Sequence, residues 1–149
     1  MSVTRFERGP LLDRLITAQE ESDAVASYPN IDRWARVLGS VAAELDDPLL
    51  LPVSGVAERL VGAALVATHG GVRVCALSET LDGERVLVVD AVAVSALSML
   101  TAARHARALG ASHVAGCAVH LYSSPALGEM DGYIDLAARA LSPSIATAA

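Results

Sequence analysis

Two short stretches hold the side chains with the best claim to chemistry. In "RVLVVDAVAVSALSM", Asp90 closes a run of apolar residues, and Ser95 and Ser98 follow it. An apolar run ending in an acid fits a buried parallel strand that delivers a carboxylate to the carboxyl edge of a sheet. Ligands of open α/β proteins gather at that edge. Serines at the start of the following helix would sit beside its first-turn N–H groups. Those groups carry partial positive charge and can hold a phosphate without any lysine. In "PVSGVAE", Ser54 and Gly55 form a second strand-to-helix turn. Plainer roles stand beside these: Asp90 also suits an Asx-type turn, and Ser54, Ser95 and Ser98 also suit helix N-caps.

The remaining reactive side chains offer less. His69, His105, His113 and His120 show no zinc-ligand spacing with a cysteine or carboxylate, so no metal site is expected. His69 falls at a helix end, and His120 lies near a strand end from which it could reach the site opening. Cys75 and Cys117 lie in apolar strand-like runs without C-x-x-C spacing. They read as small buried hydrophobes, with a disulfide or redox pair as the alternative. Trp34 falls on an apolar helix face and reads as core or interface.

These residues need elements to position them. "LLDRLITAQEESDAVA" reads as an amphipathic helix. A second helix follows, with Asn30 as its cap and Ile31, Trp34, Val37, Leu38, Val41 and Leu45 on one face, ended by Asp46, Asp47 and Pro48. "PLLLPV" is a short continuous apolar run, as in a strand buried on both faces. A helix then runs to Gly70 and Gly71. "VRVCALSE" alternates like a strand, and "TLDGE" is a tight turn into the strand "RVLVVD". The next helix starts near Ala96 and stops at Gly110; "SHVAGCAVHLY" is another strand, "GYIDLAARAL" a single short helix, and "SPSIATAA" a frayed end. Strands alternating with helices predict a mainly parallel sheet in an α/β/α sandwich. The organisation expected is one domain over residues 1–149: helices over 1–47, an α/β core over 48–122, and a short helix and tail over 123–149.

Composition narrows the functions. All 11 basic residues are arginine, so lysine chemistry of every kind is excluded. A formal net charge of −6 and scattered arginines argue against a nucleic-acid surface. Hydrophobic content of 53% exceeds the usual range for soluble domains and points to a homo-oligomer, a dimer in the simplest case. The first residues lack an apolar signal segment, and the most apolar stretch, residues 86–103, is broken by Asp90 and two serines. Neither a secretory signal nor a membrane span is expected, so the expected location is the cytoplasm.

The block "LDGERVLVVDAVAVSALSMLTAARHARALGASHVAGCAVHLY" resembles the type I phosphoribosyltransferase family. That family's signature is an apolar run, two acids, a few small residues, then Thr, Gly and a further Thr or Ser. "LLLPVSGVAERLVGAALVATHGG" resembles the family's earlier strand, pyrophosphate loop and helix, so the likeness covers roughly residues 48–122. It implies a three-layer fold with an added N-terminal helical layer. It also implies that Asp90 bonds a ribose hydroxyl of phosphoribosyl pyrophosphate (PRPP). Ser95, Ala96 and Ser98 would stand for the signature Thr, Gly and last Thr. Ala93, Val94, Ala96 and Leu97 would offer only backbone N–H groups, and Ser54 and Gly55 would occupy the pyrophosphate loop. Magnesium is implied only as a companion of bound PRPP.

The chain departs from this pattern. Ala91 replaces the second acid, which removes a charge-assisted contact of about 1.5–3 kcal/mol. Ala96 adds a Cβ where glycine's freedom is usual. Catalytic members carry a long covering loop between the strands before the signature, whereas only residues 80–84 are expected here. Arg59 and Arg73 are the nearest cations by sequence position. The departures predict a phosphoribosyltransferase-like protein without transferase activity, acting as a homo-oligomeric accessory or regulatory subunit. The alternatives are an active phosphoribosyltransferase, covered by the N-terminal helices or a partner chain, and a nucleotide or PRPP sensor without turnover. Both use the loop from Asp90 to Ser98.

Overall fold

A computed structural model describes residues 10–75 and 80–141 of the chain. The order is α1 (Pro10–Ala26), α2 (Asn30–Glu44), β1 (Leu49–Pro52), α3 (Gly55–Ala67), β2 (Arg73–Val74), β3 (Arg85–Ala93), α4 (Leu97–Ala108), β4 (His113–Leu121), a 3-10 turn (Pro125–Glu129), β5 (Tyr133–Asp135) and α5 (Leu136–Leu141). The five strands form one parallel sheet in the order β2-β1-β3-β4-β5. The α/β architecture expected from the alternation of strands and helices is therefore present, with helices on both faces.

The sheet interior is aliphatic because successive side chains of each strand enter opposite layers. Leu87, Val89 and Ala91 of β3, with Ala115, Cys117 and Val119 of β4, pack against α2, α3 and Leu136 of α5. Val86 and Val88, with Val114 and Ala118, pack against Met99, Leu100, Ala103 and Ala106 of α4. Right-handed crossovers dictate this division. The chain steps from β1 outward to β2 through α3, then reverses and steps from β3 to β4 through α4. Steps in opposite directions place their helices on opposite faces. The reversal falls between β1 and β3, and there the carboxyl ends of the strands diverge to leave a crevice.

α2 lies outside α3, with Ala35, Leu38, Gly39, Val41 and Ala42 buried. Ile31, Trp34, Val37 and Leu45 pack partly buried on the same cluster, so the apolar face expected for this helix is the one that docks. Arg139 of α5 pairs with Glu44 of α2.

Several local expectations need correction. Asn30 is the first residue of α2, not its cap; Pro29 takes the cap position without a side-chain bond. The Asn30 amide instead donates to the Ala24 carbonyl at 3.1 Å and joins the turn between α1 and α2. "GYIDLAARAL" is not one helix. Tyr133–Asp135 pair with Gly116–Ala118 as β5, and α5 begins at Leu136. Asp135 makes that switch by accepting from Leu121 N and from Ala138 N. Among the described residues β2 is Arg73–Val74, and β3 begins at Arg85. Residues 76–79 of the expected strand lie outside the described residues, as does the tail after residue 141.

The end of α4 follows its glycine as expected. Gly110 has φ +103, and the N–H of Ala111 reaches back to the Ala106 carbonyl. This is a left-handed helix exit, the conformation glycine adopts most cheaply. A Cβ on Gly110 would also meet the Asp82 carboxylate at 2.0 Å and the Asp82 Cα at 3.0 Å. Gly110→Ala therefore combines backbone strain with a clash, and a loss of about 2 kcal/mol or more is expected in urea unfolding.

Candidate functional site

A cleft of about 530 Å³ opens at the carboxyl ends of β1 and β3. Three segments line it. The N-terminus of α3 contributes Ser54, Gly55, Val56 and Arg59. The end of β3 and the following loop contribute Asp90 and residues 92–98. α1 covers the opening with Leu15, Ala18, Gln19 and Ser22. All nine residues singled out from the sequence line this one cleft: Ser54, Gly55, Asp90, Ala93, Val94, Ser95, Ala96, Leu97 and Ser98.

Asp90 and Ser54 form its floor. Ser54 Oγ donates to Asp90 Oδ1 at 2.9 Å and accepts from the N–H of Ala57 at 3.1 Å. Ser54 is thus the N-cap of α3 and, through its proton, the support of the carboxylate. The N–H of Ala91 also donates to Asp90 Oδ1, at 2.8 Å. The capping and ligand roles weighed for these residues are compatible, because Ser54 uses its lone pair for one and its proton for the other. Burial raises the Asp90 carboxyl above its ordinary value, and the bonds from Ser54 and Ala91 pull in the opposite direction.

The residue after Asp90, where the resemblance would place a second acid, belongs to the core. Ala91 is 1% exposed and packs in the aliphatic layer under α3, away from the cleft lining. A carboxylate at this position would be desolvated among apolar side chains. Ala96 is more unexpected. It caps α4 with φ 57 and ψ 18, the left-handed conformation, and is 4% exposed. The backbone here takes a conformation that favours glycine, while the residue is alanine. That conformation costs an L-residue about 1–2 kcal/mol. As in any helix, the first N–H groups of α4 have no partner inside the helix. Ser95 Oγ lies 3.5 Å from the N–H of Leu97, and the Ser95 carbonyl accepts from Ser124 Oγ at 2.6 Å.

Arg59 is the one basic side chain among the described residues lining the cleft. It stands one helical turn after Gly55, so helix periodicity could have singled it out over Arg73. Arg73 is at the opposite end of the sheet, paired with Glu84 at 3.0 Å and donating to the Asp47 carbonyl. His120 does not reach the cleft. Its ring meets Trp34 edge-on at 6.3 Å, and its Nδ1 lies 3.8 Å from Glu21. Cys117 is fully buried, and burial together with the Asp90 charge pushes its thiol up to about 12. Cys75 is half-buried in the opposite layer, so the sheet separates the two cysteines.

From the sequence, the α1 cover was an amphipathic helix and, for the active-enzyme alternative, one candidate covering element beside a partner chain. It is held down by Glu21, which accepts from Tyr122 Oη at 2.5 Å. That bond is the main reason the Tyr122 hydroxyl is raised above its ordinary value. Among the described residues, no group of three or more His, Cys, Asp or Glu side chains could hold a metal ion. Asp90 is the one carboxylate among the described residues that line the cleft.

Two expectations follow from this geometry. Asp90 has a raised folded-state value, so its stability contribution is present below its ordinary value of 3.8 and lost as pH rises through the folded one. Asp90→Asn escapes that loss while its amide oxygen still accepts from Ser54 and Ala91. The variant should melt a few degrees above the wild type at neutral pH, with the gap closing in acid; equal melting at both would show that Asp90 carries no burial penalty. Ala96→Gly gains backbone freedom but loses a buried methyl worth about 0.8 kcal/mol, so stability should change by less than about 1 kcal/mol. Ala96→Val, β-branched at positive φ, should cost about 2 kcal/mol or more in the same denaturation assay.

Among solved structures, the chain has a likeness to an HGPRT-ase from Leishmania tarentolae in complex with GMP. The two share 14% sequence identity with a TM-score of 0.46, over 71% of this chain and 78% of that one. No protein-family model matches the chain, and no curated protein matches it. The architecture stands on its own strand order and register: an α/β protein with a five-stranded parallel sheet and one cleft at the reversal between β1 and β3.

Proposed function

We propose that this protein binds a phosphorylated small molecule of the phosphoribosyl or nucleotide class in the cleft between α1 and the loop after Asp90, and that it does not catalyse phosphoribosyl transfer. The observation that carries the reading is that the cleft is open. The apolar loop residues do not close it: Leu97 is 63% exposed at its rim, and a volume of about 530 Å³ remains above Asp90.

The chemistry of the lining fits such a ligand. The start of α4 supplies N–H groups and partial positive charge for a phosphate. Ser95 and Ser98 add hydroxyls, and Arg59 adds the one full positive charge. Asp90 has one oxygen engaged by Ser54 and Ala91, so its other oxygen is placed to accept from a sugar hydroxyl. A plain surface role needs none of this convergence. It would leave a raised, partly buried carboxyl without a purpose.

Transfer asks for more than binding. Loss of pyrophosphate from a ribosyl centre needs the leaving charge neutralised and water excluded. The cleft has one arginine, the chain has no lysine, and the second signature acid is an alanine packed away from the site. A sensing or accessory role, in which the ligand is held and released unchanged, asks only for what the lining supplies.

Calorimetric titration of the full chain with PRPP and magnesium, ribose 5-phosphate and nucleoside monophosphates tests both halves of the reading. Saturable binding is expected for at least one of them. Arg59→Ala should weaken it about tenfold or more, in line with a charge-assisted contact. No pyrophosphate should be released with any nucleobase. No heat change across the whole panel refutes binding, and base-dependent pyrophosphate release refutes the absence of transfer.

A further inference from the structure

We infer that α1 is a hinged lid over the cleft, latched to the end of β4 by the polar contact between Glu21 and Tyr122. The inference deepens the binding role proposed above and rests on it for what the lid encloses.

α1 is attached unevenly. Among its residues with described burial, only Val25, near its C-terminal end, is buried, at 2% exposure. Residues 12–20 are all exposed or half-buried, including Leu12 at 38% and Leu15 at 49%. A helix without a buried apolar stripe gains little from packing, and packing is what holds most helices in place. Its C-terminal end, by contrast, is fixed. Ser27 Oγ and the Asn30 amide both donate to the Ala24 carbonyl, at 2.7 and 3.1 Å. Val25 and this turn therefore form the natural pivot.

Among the described residues, one hydrogen bond ties the segment beyond the pivot to the sheet. Glu21 is bonded to Tyr122 Oη, with His120 Nδ1 at 3.8 Å on its other oxygen. The Arg14 guanidinium lies 5.9 Å from the centre of the Tyr122 ring, which adds a weak second hold on the same side chain. Tyr122 follows β4 directly, so the latch ties α1 to the rigid sheet. On the cleft side, α1 presents Leu15, Ala18, Gln19 and Ser22 to the opening. Leu15 and Leu97 line the same cleft from α1 and α4. Both are exposed apolar side chains that closure on a ligand would cover. Breaking the Glu21 contact releases the lid without touching Ser54, Arg59, Asp90 or the loop after it.

Amide hydrogen exchange on the intact chain decides the matter. Tyr122→Phe removes the hydroxyl and keeps the ring; Glu21→Ala removes the acceptor. In both variants the amides of α1 N-terminal to Glu21 should exchange at least tenfold faster than in the wild type, with α3, α4 and the sheet unchanged. Unchanged protection of α1 in both variants overturns the latch. Acceleration spread evenly over the molecule also overturns it, because the contact then serves global stability. A second arm uses PRPP with magnesium as the probe. Tyr122→Phe should release it at least threefold faster than the wild type, and equal release rates overturn the role as a lid. If the wild type itself binds no PRPP, ribose 5-phosphate or nucleotide, the functional reading of the cleft falls, and the exchange pattern alone still decides whether α1 is latched.

Discussion

Val86, Val88, Leu87 and Val89 of β3 are fully buried, two toward each layer, so β3 has no wet face. A strand of this kind is stable only in the middle of a parallel sheet with helices over both sides. That requirement, combined with the right hand of each crossover, sends α3 to one face and α4 to the other. It also creates the reversal between β1 and β3, and the cleft follows from the reversal. The site exists because of how β3 must be covered, and its side chains were then fitted to an opening that was already there.

The bond from Ser54 to Asp90 shows how the opening is held. Two strand ends that diverge at the reversal are tied by one hydroxyl, which also caps α3. The carboxylate is kept where burial disfavours its charge. Ala96 likewise keeps a left-handed backbone without the glycine that suits it. Two unfavourable features on one short loop are more easily understood at a binding site than in a connection with no task. Ala91, the next residue after Asp90, lies in the core, where a carboxylate could not stay charged. The loop therefore combines a strained backbone with a single carboxylate at the cleft.

α1 changes what kind of site this is. Without it the cleft would be a shallow crevice at the sheet edge. With it, Leu15, Ala18, Gln19 and Ser22 form a wall, which the bond from Tyr122 to Glu21 ties to the sheet. A cover attached in this way can move at small cost, whereas α2, with five buried residues against α3, cannot.

Most of the framework was legible in the amino-acid order, because apolar runs and helical stripes report which faces must be dry. The runs at β1, β3 and β4, the docking face of α2, and the glycine exit of α4 all follow from local pattern. Asp90, Ser54 and Ser95 could be singled out because strand ends and helix starts have recognisable residues. Other features depended on distant partners and left no local mark. Tyr133–Asp135 became a strand because β4 offered a free edge, although its residues read equally well as a helix start. Asn30 gave up the cap to bond the preceding turn. Arg59 rather than Arg73 reached the cleft, because one follows a strand's carboxyl end and the other begins a strand at the opposite edge. His120 turned to Trp34 and Glu21 instead of the opening. The sequence by itself determined an aliphatic parallel sheet with an acid at the end of its central strand, since burial patterns are written locally. Only the tertiary structure decided that this acid lies in an open, covered cleft, because the cover and its latch join residues a hundred positions apart.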